Sequence, residues 1–193
     1  MINNLSIKLT NKLISKGSIT ENKRELYIYG FFMLISHLMY LVLTIILGLI
    51  FKCFLESVIF YIAFQFIRRY AGGFHAKTEA TCEILSSLSI FCCIGVIRIS
   101  KICDIKIALL CLSLLFAISI FIFCPLDTPE KPLTDKEHKH FRKISLMILL
   151  CILIAIILSY KFKTEYIFVP CCMSLILEGI LINTAKMQKY ANK

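Results

Sequence analysis

Six apolar runs, at about residues 31 to 51, 54 to 67, 84 to 97, 105 to 124, 144 to 160 and 166 to 182, leave this 193-residue chain little polar sequence with which to face water. It is 59% hydrophobic and 18% charged, with a mean hydropathy of +0.82, whereas a soluble globule needs more polar side chains to cover itself. The chain reads as an all-α integral membrane protein, since a helix satisfies its own backbone hydrogen bonds in lipid. A perpendicular span takes about 20 residues, and the first and fourth runs meet that outright. The second is short and carries Glu56, which leaves open a thin span, a re-entrant hairpin or a helix shielded by protein. The expectation is about six transmembrane helices, one of them short or re-entrant, in a single membrane domain over 1–193. Ahead of them, in a polar segment 1–30, Leu5, Leu9 and Leu13 recur at helical spacing beside a stripe of Lys8, Lys12 and Lys16. That pattern suits an amphipathic helix on the membrane surface, ended by Gly17-Ser18. With no apolar h-region among the first 30 residues, no cleaved leader is expected.

Charge orients the spans. With the N-terminus inside, sixteen of the 22 Lys and Arg residues fall before residue 31, in 68–83, in 125–143 or after 182, and six fall in the intervening loops. The positive-inside rule then assigns both termini and the loops 68–83 and 125–143 to the cytoplasm, in a multi-pass protein of the cell membrane. Orientation and anionic lipid account for much of the net charge of +10, so nucleic acid is not an expected partner and membrane lipid is. Of the ten cysteines, Cys92, Cys93, Cys111, Cys151, Cys171 and Cys172 lie within apolar runs, where they act as small hydrophobes, and no structural disulfide is expected. Three prolines, Pro125, Pro129 and Pro132, make the later loop extended and stiff. Beyond it Thr134 and Glu137 have the spacing of a capping box.

Between the second and third runs lies a polar island, from Arg68, Arg69, Tyr70 and Ala71 through Gly72, Gly73, Phe74, His75, Ala76 and Lys77 to Thr78, with Cys82 four residues on. Ionisable groups are expensive beside lipid and are usually functional there. Cysteine attacks as a thiolate and needs a base or a positive setting to ionise. His75 supplies the base, Arg68, Arg69 and Lys77 supply the charge, and a helix capped by Thr78 or Thr81 would place Cys82 near its positive end. One condition follows from geometry. A continuous helix would separate His75 from Cys82 by about 10.5 Å of rise, too far for proton transfer, so the chain bends between them or the pair forms across a dimer. Gly72 and Gly73 favour the bend, and Thr78 and Glu79 are near enough to orient His75. His75 and Cys82 are only two ligands, so no metal site and no cofactor are expected, even with His138 and His140 in the chain; His37 is left without a role.

The run Arg68-Arg69-Tyr70-Ala71-Gly72-Gly73-Phe74-His75-Ala76-Lys77-Thr78 followed by Cys82 resembles the signature of the accessory gene regulator B family, and Pro129-Glu130-Lys131-Pro132 matches it further. The resemblance covers nearly the whole chain. It implies a membrane cysteine endopeptidase that removes the C-terminal tail of an AgrD-type quorum-sensing propeptide. By the same resemblance Cys82 forms an acyl-enzyme thioester, His75 acts as base, and a propeptide cysteine displaces the enzyme to close a thiolactone. Arg68 and Gly73 match positions needed for activity, and Lys131 matches a basic loop, although it stands alone between prolines where some members carry a lysine cluster. A homodimer is also implied. Two readings compete: a peptide exporter, against which stand the lack of repeat symmetry and of a nucleotide motif, and a non-catalytic membrane protein with the island as docking loop.

Overall fold

A computed structural model describes residues 2–74, 78–126 and 134–191, and among them every element is helical apart from one isolated bridge. In chain order these are α1 (Ile2–Ser15), a short 3-10 turn (Glu21–Lys23), α2 (Arg24–Ile50), α3 (Phe54–Ala71), α4 (Glu79–Ile99), α5 (Lys106–Phe123), α6 (Asp135–Lys161) and α7 (Glu165–Ala191). The chain forms two compact units, residues 1–43 and 44–193. Five of the helices are long and apolar enough to cross a membrane: those within 21–50, 80–99, 106–123, 135–161 and 165–190. The protein is therefore an all-α membrane protein, as its hydropathy dictates.

In the first unit α1 buries Ile2, Ser6 and Thr10, and the two hydroxyls donate to the carbonyls of Ile2 and Ser6 at 3.0 and 2.9 Å. Back-bonding of this kind lets a hydroxyl be buried without a further partner. Leu5 stays exposed and Leu9 and Leu13 partly so, which leaves the leucine stripe outward. Gly17, at φ +70°, ends the helix region, where a left-handed residue costs glycine little.

In the second unit α7 is the centre: 72% of its apolar stretch is buried, against 17–22% for the other four spans. It packs on α3, α4, α5 and α6. Small residues make the approach close, as membrane helices require in the absence of a hydrophobic drive between them. A Cβ on Gly179 would run into the Phe116 side chain of α5, and a Cβ on Gly48 of α2 would stand 3.0 Å from Phe54 and Ser57 of α3. Outward, Leu112, Leu115, Ile118 and Phe121 of α5, with Leu150, Ile154 and Ile157 of α6, are exposed apolar side chains suited to lipid tails.

The second apolar run is one continuous 18-residue helix, α3, about 27 Å long at 1.5 Å per residue. With Glu56, Arg68 and Arg69 in it, it is not among the five helices long and apolar enough to cross, where six spans were expected. Phe60, Phe64, Ile67 and Ala71 repeat at three and four residues and are buried, while Ile62 and Phe66 on the other side are exposed. The re-entrant hairpin is thereby ruled out, and shielding by protein holds for one face. Glu56, the anomaly within that run, is paired with Lys101 at 2.5 Å, and near it Lys106 pairs with Glu165 at 2.5 Å. Each carboxylate has a cation at the end of the unit where α3 and α7 begin and α4 finishes. All ten cysteines are free.

At the opposite end the chain closes on itself. Leu126, three residues beyond α5, donates its N–H to the Ala71 carbonyl at 2.9 Å, forming the bridge opposite Gly72. Phe74 donates to the Leu181 carbonyl of α7 at 3.1 Å, and Arg142 of α6 donates to the Cys124 carbonyl at 3.0 Å. The two loops that charge counting put on one side thus meet at one end.

Candidate functional site

The site is built where α3 stops. Arg68 lies in the last turn of α3, and its guanidinium turns back over the chain that follows: Nη1 donates to the Gly72 carbonyl at 2.7 Å and Nη2 to the Phe74 carbonyl at 2.5 Å. Charge-assisted bonds of this kind are roughly twice as strong as neutral ones, so three residues of irregular backbone are held by one side chain. Both glycines are demanded by what surrounds them. Gly72 sits at φ +76° with its Cα against the Leu126 carbonyl, and Gly73 at φ +130° against the Arg68 guanidinium; a Cβ at either would collide. The double glycine therefore serves close approach as well as the bend.

Across the guanidinium stands Glu178 of α7, its carboxylate Oε2 3.9 Å from Arg68 Nη1. Glu178 is fully buried, and neither of its carboxylate oxygens accepts a hydrogen bond from the described residues. Its neighbour one turn on, Leu181, receives the Phe74 N–H. Arg69 points elsewhere: it is exposed and lies over the Tyr70 ring at 5.8 Å, and Tyr70 in turn meets Phe141 of α6 edge-on.

Beyond the island, α4 begins at Glu79 with Thr78 as its N-cap, extended at φ −127° and ψ 146°. Thr78 Oγ1 accepts from the Thr81 N–H at 3.2 Å and pairs with the Thr81 hydroxyl at 2.6 Å. Of the two threonines, Thr78 is the cap. Cys82 is the fourth residue of α4, half-buried, with its N–H donated to the Thr78 carbonyl at 3.0 Å. The thiol stands within the first turns, where unsatisfied N–H groups make the helix end positive. Since α3 ends at Ala71 and α4 starts at Glu79, residues 75 to 82 do not share one helix.

A second cysteine lies at this end. Cys124 is buried, and its thiol donates to Ser145 Oγ at 2.8 Å. Burial pushes its pKa up, against a smaller opposing effect of the Ser145 bond, so it is held as a thiol and is a poor nucleophile.

His75, Lys77 and Lys131 lie outside the described residues, as does the Glu79 side chain. The structure gathers Arg68, Gly72 and Gly73 at the end of α3 and Thr78 with Cys82 at the start of α4, and turns Arg69 onto Tyr70. Among the described residues no three His, Cys, Asp or Glu side chains are grouped to hold a metal. Sequence reasoning missed Glu178, Leu181 and Leu126. Only Glu178 carried a signal, as the one charge in the run 166 to 182; the other two act through backbone atoms, which any residue supplies.

The family model for Accessory gene regulator B matches residues 6–182. Two AgrB-like proteins of Clostridium perfringens are similar, one 32% identical over 165 residues and one 33% over 166, each alignment covering 82% of this chain and 77% of the relative. The Accessory gene regulator protein B of a bovine Staphylococcus aureus strain is 26% identical over 138 residues, covering 71% of this chain and 72% of that protein. No solved structure matches.

Proposed function

This chain belongs to the accessory gene regulator B family, and from that premise we propose that it is a membrane cysteine endopeptidase acting on a small AgrD-type propeptide. Cys82 is the nucleophile and His75 its base. The observation that carries the reading is the break between α3 and α4: Cys82 follows a capped helix start, and the backbone leading to His75 is non-helical and clamped by Arg68. A straight helix would have disabled the pair.

In the proposed reaction His75 takes the Cys82 proton and the thiolate adds to the carbonyl of the scissile peptide bond. The tetrahedral intermediate collapses as His75 returns the proton to the leaving amine, which frees the C-terminal tail and leaves the remainder as a thioester on Cys82. A thiol within the propeptide then gives its proton to His75 and attacks that thioester, the C–S bond to Cys82 breaks as the thiolactone closes, and the departing Cys82 thiolate takes the proton back from His75. Thiol–thioester exchange trades one C–S bond for another at little net cost, so excluding water favours ring closure over hydrolysis. Backbone N–H groups at the start of α4, or the N–H groups of Arg68 beyond the two that hold the Gly72 and Phe74 carbonyls, are the proposed oxyanion donors. Lys77 and Lys131 are assigned to substrate binding, the loop end of the second unit to the cytoplasmic side, and the working form to a homodimer in the cell membrane.

Co-expression with the cognate propeptide tests this. Cys82→Ala and His75→Ala should each leave the propeptide at full length, whereas normal processing by either variant would refute the assignment and favour a docking role.

A further inference from the structure

We propose that Glu178 is a positioning residue for the reaction at Cys82: its buried carboxylate holds the Arg68 guanidinium over the Gly72–Phe74 backbone, and thereby sets the segment that runs directly into His75. The proposal rests on the peptidase reading above.

Three observations carry it. Glu178 is fully buried in α7 and is the only charged residue between 166 and 182; an ionisable group so placed is costly and is kept for a partner or a task. Its partner is Arg68 at 3.9 Å, yet no hydrogen bond joins them. The Arg68 donors on Nη1 and Nη2 go to the Gly72 and Phe74 carbonyls instead. The two roles are thus divided: the buried carboxylate faces the part-buried positive charge, and the guanidinium hydrogens remain available to fix the backbone. A buried pair of this type is weak evidence for added stability, because desolvation opposes the attraction, whereas an orienting role needs only that the charge stay in place. The same turn of α7 grips the segment a second time, through the bond from Phe74 N–H to the Leu181 carbonyl at 3.1 Å. Gly73 completes the fit, since any side chain there would displace the guanidinium.

The test uses the full-length protein in detergent or reconstituted membranes with the cognate propeptide, with rates taken per mole of folded protein. Glu178→Gln keeps the shape and removes the charge. It should lower kcat for propeptide cleavage by about tenfold to a hundredfold, the scale of a small misplacement of catalytic groups, with KM changed by less than about threefold. Glu178→Asp should recover part of the loss. Cys82 alkylation at pH 7 should slow in Glu178→Gln, as it should in His75→Ala, a response that a purely structural role for Glu178 would not produce. In an Arg68→Gln background Glu178→Gln should cost little more, since the two residues act as one device. Wild-type kcat in Glu178→Gln, or losses that multiply in the double variant, would overturn the assignment while Cys82-dependent cleavage left the peptidase reading standing. Should Glu178→Gln fail to fold, Glu178→Asp decides the matter by the same kcat and alkylation measurements. Processing that persists in Cys82→Ala would instead overturn the peptidase reading and this role with it.

Discussion

At Gly73 the backbone stands at φ +130° and a Cβ would meet the Arg68 guanidinium. Gly73→Ala should therefore lower propeptide processing by about tenfold or more through a displaced guanidinium, with insertion into the membrane unchanged. Gly95→Ala is the control, because nothing lies within 4 Å of a Cβ there; it should process normally and gain slightly in helix stability. The cysteines separate by the same local reasoning. Cys82 is half-buried at a helix start, whereas Cys124 is buried, bonded to Ser145 and raised in pKa. Iodoacetamide at neutral pH should thus modify Cys82 well before Cys124, and the gap should narrow as pH rises and Cys124 ionises. Equal rates across the pH range would mark Cys82 as an ordinary thiol.

Between helices, two contacts give measurable stabilities. Thr78→Ala removes the cap of α4 and should cost about 1 kcal/mol, read as a lower thermal transition and faster exchange of the amides in its first turn. Gly179→Val forces a side chain into Phe116 of α5 and should destabilise by about 1–3 kcal/mol through overpacking. Element positions were legible where polar punctuation was strong: the Thr134 and Glu137 capping box forms with both of its bonds, and Gly17 ends the α1 region. The apolar pattern alone enters α6 only at residue 144, and the capping box is what carries its start back to Asp135, since a helix continues through charged residues once its cap is made and its ladder propagates. The nature of α3 was harder to read: Glu56 looks misplaced in a membrane until Lys101, 45 residues further on, is seen to face it, and the Glu178 that faces Arg68 lies 110 residues on.

Over the whole molecule, six apolar runs were sufficient to read a helical membrane protein, and the polar island with Cys82 was visible as the place where that pattern fails. The route by which α7 reaches into the island was not, because it runs through a backbone carbonyl at Leu181 and a single carboxylate whose partner is distant in sequence. Orientation is open to direct measurement. Cys103 is exposed near the far end from Cys82, so in intact cells a membrane-impermeant thiol reagent should modify Cys103 and spare Cys82, and inverted vesicles should reverse the preference. The most direct test of the chemistry uses a propeptide whose own cysteine is replaced by alanine, so that the acyl-enzyme cannot be discharged by ring closure. Mass spectrometry of the intact protein should then show an adduct equal to the propeptide without its C-terminal tail, carried on Cys82, released by hydroxylamine and absent from His75→Ala. Tail release with no such adduct, or an adduct on any other residue, would contradict the assignment of Cys82 as the nucleophile.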